Sequence, residues 1–93
     1  MIPYEVRKLV YEKAIDHYGV DCQIWKAVEE MSELTKELAK TQTSTDTDRD
    51  RLVDEIADVT VMVEQLSLII DANEDVRNRM DYKIQRLAQR MGA

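Results

Sequence analysis

The chain has 93 residues, of which 44% are apolar and 34% charged, with a formal charge of −6. That describes one small domain over residues 1–93: too polar for a membrane protein, too apolar for a disordered tail, and of the wrong sign for binding nucleic acid by phosphate neutralisation. No apolar run approaches the roughly 20 residues of a bilayer span.

Met1 to Tyr11 carries Glu5, Arg7 and Lys8 and lacks the apolar stretch of a signal peptide, and one cysteine, Cys22, excludes an internal disulfide framework or a cysteine-based zinc site. A cytoplasmic protein is expected. Two glycines and one proline leave little turn chemistry for a many-stranded β fold, so the expected class is all-α: a four-helix bundle-like subunit.

The first helix is expected from about Pro3, suited to a first turn, to Tyr18, with Gly19 as the stop. Its apolar stripe is Val6, Leu9, Val10 and Ala14, and Tyr4, Tyr11 and Tyr18 share one side. His17, near the helix end, reads as structural. The second helix is expected from Asp21, a plausible N-cap, to Lys40, with Ile24, Val28, Met31 and Leu38 on one face and Ala27 and Leu34 beside it. Cys22 reads as a small apolar filler. The polar run Thr41 to Thr47 has no periodicity and reads as a loop.

The third helix is expected from Asp48 or Arg49 to Asp71. Ile56, Val59, Val63, Leu66 and Ile70 form one face, while Ala57, Val61, Met62, Leu68 and Ile69 carry the apolar character nearly all round. Such a helix needs cover from several directions. A roughly 90-residue chain buries only a modest fraction of its surface by itself, so a second subunit about a twofold axis is expected, giving a homodimer or homotetramer. The fourth helix is expected from Asn73 or Asp75 to Met91, with Val76, Met80, Ile84, Leu87 and Met91 as its buried stripe. Charge divides unevenly: residues 1–73 carry a net −8 and residues 74–93 a net +2.

Two acidic pairs stand at i, i+3 spacing, Glu30 with Glu33 and Glu55 with Asp58, so each pair shares a helix face. An isolated pair of this kind is ordinarily solvated surface. Here, however, Glu33 and Glu55 are centred on Ser44 in the polar run, and so are Glu30 and Asp58. An antiparallel hairpin bent there sets Glu33 level with Glu55 and Glu30 level with Asp58. Four clustered carboxylates do not all ionise in a half-buried site without a cation, and hard oxygen donors suit Mg²⁺ or Mn²⁺. His17 is the sole histidine, which disfavours a histidine-containing di-iron site. Glu29 reads equally as surface charge or as a group that positions a water. Arg79, Lys83, Arg86 and Arg90 form a basic stripe on the fourth helix, either a solvated face or a phosphate clamp.

Trp25-Lys26-Ala27-Val28-Glu29-Glu30-Met31-Ser32-Glu33-Leu34 followed by Asp54-Glu55-Ile56-Ala57-Asp58-Val59 resembles the MazG-like all-α nucleotide pyrophosphohydrolases, whose signature is E-E-x-x-E, a spacer, then E-x-x-D. The spacer, Leu34 to Asp54, is 21 residues. The resemblance covers roughly residues 20–90. It implies a helical dimer or dimer of dimers that hydrolyses a (d)NTP to (d)NMP and pyrophosphate, with Mg²⁺ on Glu30, Glu33, Glu55 and Asp58. Glu29 or Glu33 would take the proton of the attacking water.

The family's last-helix pattern N-x-K-F-x-R-R aligns with Asp81 to Leu87: Lys83 and Arg86 match and would steady the phosphates, whereas Asp81 and Leu87 depart. Gln23, Trp25 and Tyr82 are the candidates for contacting the nucleoside, although tryptophan and tyrosine are more ordinarily core or interface. Phosphoribosyl-ATP pyrophosphohydrolases share a related acidic pattern, usually with a tighter helix connection, so the long Thr/Ser run favours the MazG-like branch. The alternative of another class is a non-catalytic helical oligomerisation or regulatory module.

Overall fold

The computed structural model describes residues 1–45 and 47–92; Asp46, inside the expected loop, and Ala93 lie outside the described residues. Four helices follow one another: α1 (Tyr4–Tyr18), α2 (Val20–Thr43), α3 (Arg49–Ile69) and α4 (Asn73–Arg90), with no strand among the described residues. No helix among them is long and apolar enough to cross a membrane.

The helix ends follow local chemistry. Gly19 separates α1 from α2 at φ 94°, a left-handed value that glycine adopts without steric penalty, and its N–H donates to the Ile15 carbonyl at 2.9 Å. Because this one residue both stops α1 and opens α2, the N-cap position falls on Gly19 rather than on Asp21, which sits in the first turn of α2. At its other end α2 runs three residues past Lys40. The polar run therefore begins as helix, and within it Thr41 and Thr43 donate their hydroxyls back to the carbonyls of Leu38 and Ala39, at 2.7 and 2.9 Å.

The α3 N-cap is Asp48, whose carboxylate accepts the Arg51 N–H at 3.2 Å. α3 ends before Asp71, which takes φ 53°. Asp71 N–H donates to Leu68 and Ala72 N–H to Ser67, at 3.1 and 2.9 Å. That is a Schellman ending with aspartate where glycine is usual.

α2 and α3 form an antiparallel hairpin, and its seam is largely polar. Gln23 Nε2 donates to Gln65 Oε1 at 2.8 Å near one end, and Glu37 accepts from Arg51 at 3.2 Å near the other. Both pairs are centred on Ser44, the register expected from the acids. Buried apolar side chains among the described residues are Tyr11, Ala27 and Met62; buried polar ones are Gln23, Glu37, Gln65 and Ser67. Gln23→Leu is expected to destabilise the chain by about 1–3 kcal/mol, because the buried Gln65 carbonyl loses its donor. In urea unfolding, the double variant with Gln65→Leu should recover most of that loss.

α1 is fixed to α3 by one carboxylate. Glu64 accepts a two-pronged contact from Arg7 at 3.1 and 2.9 Å and the Tyr11 hydroxyl at 2.6 Å. The guanidinium groups of Arg7 and Arg77 both stand over the Tyr4 ring, at 5.3 and 4.9 Å from its centre.

The apolar stripes do not lie where a self-contained bundle would put them. Val6, Leu9 and Val10 of α1 are exposed, as are Ile24, Val28, Met31 and Leu38 of α2. On α4, Met80, Ile84, Leu87 and Met91 are 53–69% exposed and Val76 is half-buried. α4 packs mainly on α3 and reaches α1 through Arg77, whose guanidinium stands over the Tyr4 ring. The stripes have the expected helical spacing, but within one chain the seams are taken by the neighbouring positions on each helix. Cys22 is exposed rather than a filler, and of the three tyrosines on one side of α1 only Tyr11 is buried.

Candidate metal centre

Midway along the seam, Glu30 of α2 meets Glu55 and Asp58 of α3. One carboxylate oxygen from each lies within 4.8 Å of the others, and all three residues are half-buried. One helical turn links Glu55 to Asp58, while the hairpin register brings Glu30 opposite them. Glu33 is half-buried beside this trio and its charge acts on Glu55, but its carboxylate stands outside the closest group.

The electrostatics of the trio are unfavourable as they stand. Desolvation pushes the Glu55 carboxyl above the ordinary range, reinforced by the charges of Asp58, Glu30, Glu33 and Asp54. Asp58 is also pushed up, first by desolvation and then by Glu30, through its charge and a hydrogen bond. Glu55 Oε2 is buried with no hydrogen-bond partner. A buried, unpartnered oxygen on a carboxylate that is clustered with two others suits a divalent cation, and three or four hard oxygen donors leave room for the waters that Mg²⁺ retains. The donor set therefore fits the expected ion.

One cation, Lys26, borders the cluster, and two more, Lys40 and Arg51, stand farther along the seam toward the bend. Lys26 Nζ lies 3.1 Å from Glu30 and 3.9 Å from Glu29, and its charge opposes the upward shift of Asp58. Toward the bend, Glu37 is only 5% exposed and is held by Lys40 at 3.3 Å and Arg51 at 3.2 Å. The carboxylate ladder thus passes from partly compensated at the trio, by Lys26 alone, to doubly paired at Glu37. The usable sequence signals were present: Lys26 precedes Glu30 by four residues, and Glu37 and Arg51 are centred on Ser44 like the acids.

The remaining expected site residues are more dispersed. Glu29 is exposed at the rim, next to Lys26. Trp25 is 71% exposed on α2. Lys83 and Arg86 are exposed on α4, and neither forms an ion pair with an acid among the described residues. Tyr82 stacks under Arg79 at 4.7 Å. Gln23 is committed to Gln65. A hollow of about 620 Å³ lined by Lys8, Glu12, Asp16, Val20 and Leu68 lies at the α1–α2 corner and includes none of the clustered acids. Compared with known proteins, the chain matches no family model, no curated protein and no solved structure.

Proposed function

We propose that the α2–α3 seam binds Mg²⁺, with Mn²⁺ able to replace it, and hydrolyses a nucleoside triphosphate to the monophosphate and pyrophosphate. The observation that carries this is the convergence of Glu30, Glu55 and Asp58, together with a buried Glu55 oxygen that has no hydrogen-bond partner. The resemblance of the paired acidic motifs to MazG-like enzymes supplies the reaction. Glu30, Glu55 and Asp58 hold the ion, with Glu33 at its edge. A bound Mg²⁺ supplies charge neutralisation of phosphate oxygens and a more acidic water.

The chain's own groups do the rest. Glu33, or Glu29 at the rim, accepts the proton of the attacking water, since both lie within a turn of Glu30 and outside the closest trio. Lys26 balances part of the acidic charge before substrate arrives. Lys83 and Arg86 provide cations for the phosphates, and the exposed Trp25 is available to the nucleoside.

The exposed apolar faces favour a second reading, in which the chain is a helical oligomerisation or regulatory module without turnover. A related phosphoribosyl-ATP pyrophosphohydrolase activity differs from the first reading in substrate alone. One assay separates them: release of pyrophosphate from a panel of canonical and damaged nucleoside triphosphates and phosphoribosyl-ATP, with and without Mg²⁺. The proposal expects equimolar monophosphate and pyrophosphate, produced only with the divalent ion. No turnover across the panel, with Mg²⁺ present, would leave the module.

A further inference from the structure

Among the described residues Glu37 is the only charged side chain that is buried, and neither the ion nor the attacking water needs it. Its Oε1 is paired twice, with Lys40 Nζ at 3.3 Å and with Arg51 Nε at 3.2 Å. Lys40 comes from the same helix, whereas Arg51 crosses the seam from α3. The Arg51 side chain is half exposed, so partners and not packing decide where its head lies.

Arg51 has a second acid within reach. It stands four residues before Glu55, so the two side chains rise from one face of α3, about 5–6 Å apart at their Cβ atoms. That local pair is not formed: Arg51 goes to Glu37, and Glu55 Oε2 stays buried with no hydrogen-bond partner. Lys26 provides the comparison on α2. It stands four residues before Glu30, the same step, and there the local pair does form, at 3.1 Å. The difference between the two cations is the buried acid across the seam from Arg51.

The other neighbours of Arg51 decide where its charge would go without Glu37. Asp48 is engaged at the start of α3, where it accepts the Arg51 backbone N–H. Asp54, three residues on, is exposed, and an exposed pair gains little. Glu55 is half-buried, and the charges of Asp58, Glu30, Glu33 and Asp54 all bear on it. A guanidinium gains most there, because it relieves that repulsion and gives the orphaned oxygen a donor. It would also occupy the lone pair and the charge that a divalent ion requires.

We propose that Glu37 is a positioning residue for the metal centre: it draws Arg51 across the seam and so keeps Glu55 free to bind Mg²⁺. The inference rests on the metal-binding part of the proposed function and not on the reaction. Glu37 itself touches neither ion nor substrate. Lys40, on the same oxygen, offsets part of the cost of holding that carboxylate out of water.

The test measures Mg²⁺ binding to the full chain by titration calorimetry, with no nucleotide present. Glu37→Gln keeps the shape of the side chain and removes its charge. Affinity is expected to fall by at least about tenfold, as is usual when the group that orients a metal ligand is lost. Glu37→Gln combined with Arg51→Gln also removes the intruding cation and should return the affinity to within about threefold of native. A plain packing role gives the reverse order, because the double variant has lost both sides of the clasp. Native affinity in Glu37→Gln overturns the proposal, and so does a double variant no tighter than the single one. Asp58→Asn distinguishes that failure from failure of the site. If the native chain takes up no Mg²⁺, or if Asp58→Asn binds it as well as native, the metal centre falls and the inference with it. Should Glu37→Gln not fold, the Mg²⁺-free native chain carries the test by NMR. The Arg51 Nε–H should then show through-space contacts to the side-chain protons of Glu37, and contacts to Glu55 with none to Glu37 overturn the proposal.

Discussion

Asp58→Asn is expected to reduce Mg²⁺-dependent pyrophosphate release by at least about a hundredfold while the helices remain folded. Asparagine keeps the shape of the side chain and removes a charged oxygen donor from the cluster. The same substitution removes one like charge from beside Glu30 and Glu55, both of which the structure places within 4.8 Å. The metal-free melting temperature should therefore rise even as activity disappears. That opposition separates a site residue from an ordinary surface acid, whose removal moves neither quantity much. Glu33→Gln is expected to lose activity as well, with a smaller gain in metal-free stability because Glu33 stands outside the closest trio. Full activity in the Asp58→Asn protein would remove the site assignment.

Divalent ions should stabilise the fold strongly, and in a pH-dependent way. A ligand at a hundred times its dissociation constant adds about 2.7 kcal/mol, which for a chain of this size moves the melting temperature by roughly 10–20 °C. The pH dependence has two signs. Glu55 and Asp58 are raised in the folded chain, so the native state binds their protons more tightly than the unfolded state. Metal-free stability then falls as pH rises through their raised folded values and is recovered on mild acidification. Glu64 has the opposite sign.

Its carboxyl is lowered chiefly by Arg7, so its contribution is present above the ordinary glutamate value and is lost as pH falls through the depressed one. The metal-free melting temperature should accordingly peak in mild acid, between those two ranges. Saturating Mg²⁺ should move the peak toward neutral pH, because the ion needs ionised carboxylates. Calorimetry at fixed protein concentration across a pH series, with Mg²⁺ or with a chelator, reads both effects. A Mg²⁺ response no larger than that of equivalent NaCl would count against the site.

The helices and their order were legible because each apolar stripe has helical spacing and because Gly19 and Asp48 are strong local signals. The hairpin register was legible from the acids alone, and it also accounts for Gln23 with Gln65 and Glu37 with Arg51. The burial pattern was not. Periodicity locates an apolar face on a helix but does not say whether that face turns inward in the same chain, and for Met80, Ile84 and Leu87 it does not. The α2 end lies three residues beyond Lys40, and there the hydroxyls of Thr41 and Thr43 donate back to helix carbonyls, contacts that composition alone does not convey. The Arg7–Tyr11–Glu64 contact was hidden for another reason: it joins residues more than fifty positions apart with no shared spacing rule.

The two polar clasps of the seam, Gln23–Gln65 and Glu37–Arg51, bracket Glu30, Glu55 and Asp58 like the end stops of a ruler. What is encoded is then the distance of each acid from its own end stops along one rod. The length of the bend does not enter it. Extra residues between Thr43 and Asp48 lengthen a loop at a small entropic cost and leave the acids facing one another. One extra residue between Gln23 and Glu37 turns everything beyond it by about 100° and removes Glu30 from the trio or Glu37 from Arg51. Chains built on this plan can therefore drift freely in their connecting segment while their rods tolerate neither insertion nor deletion.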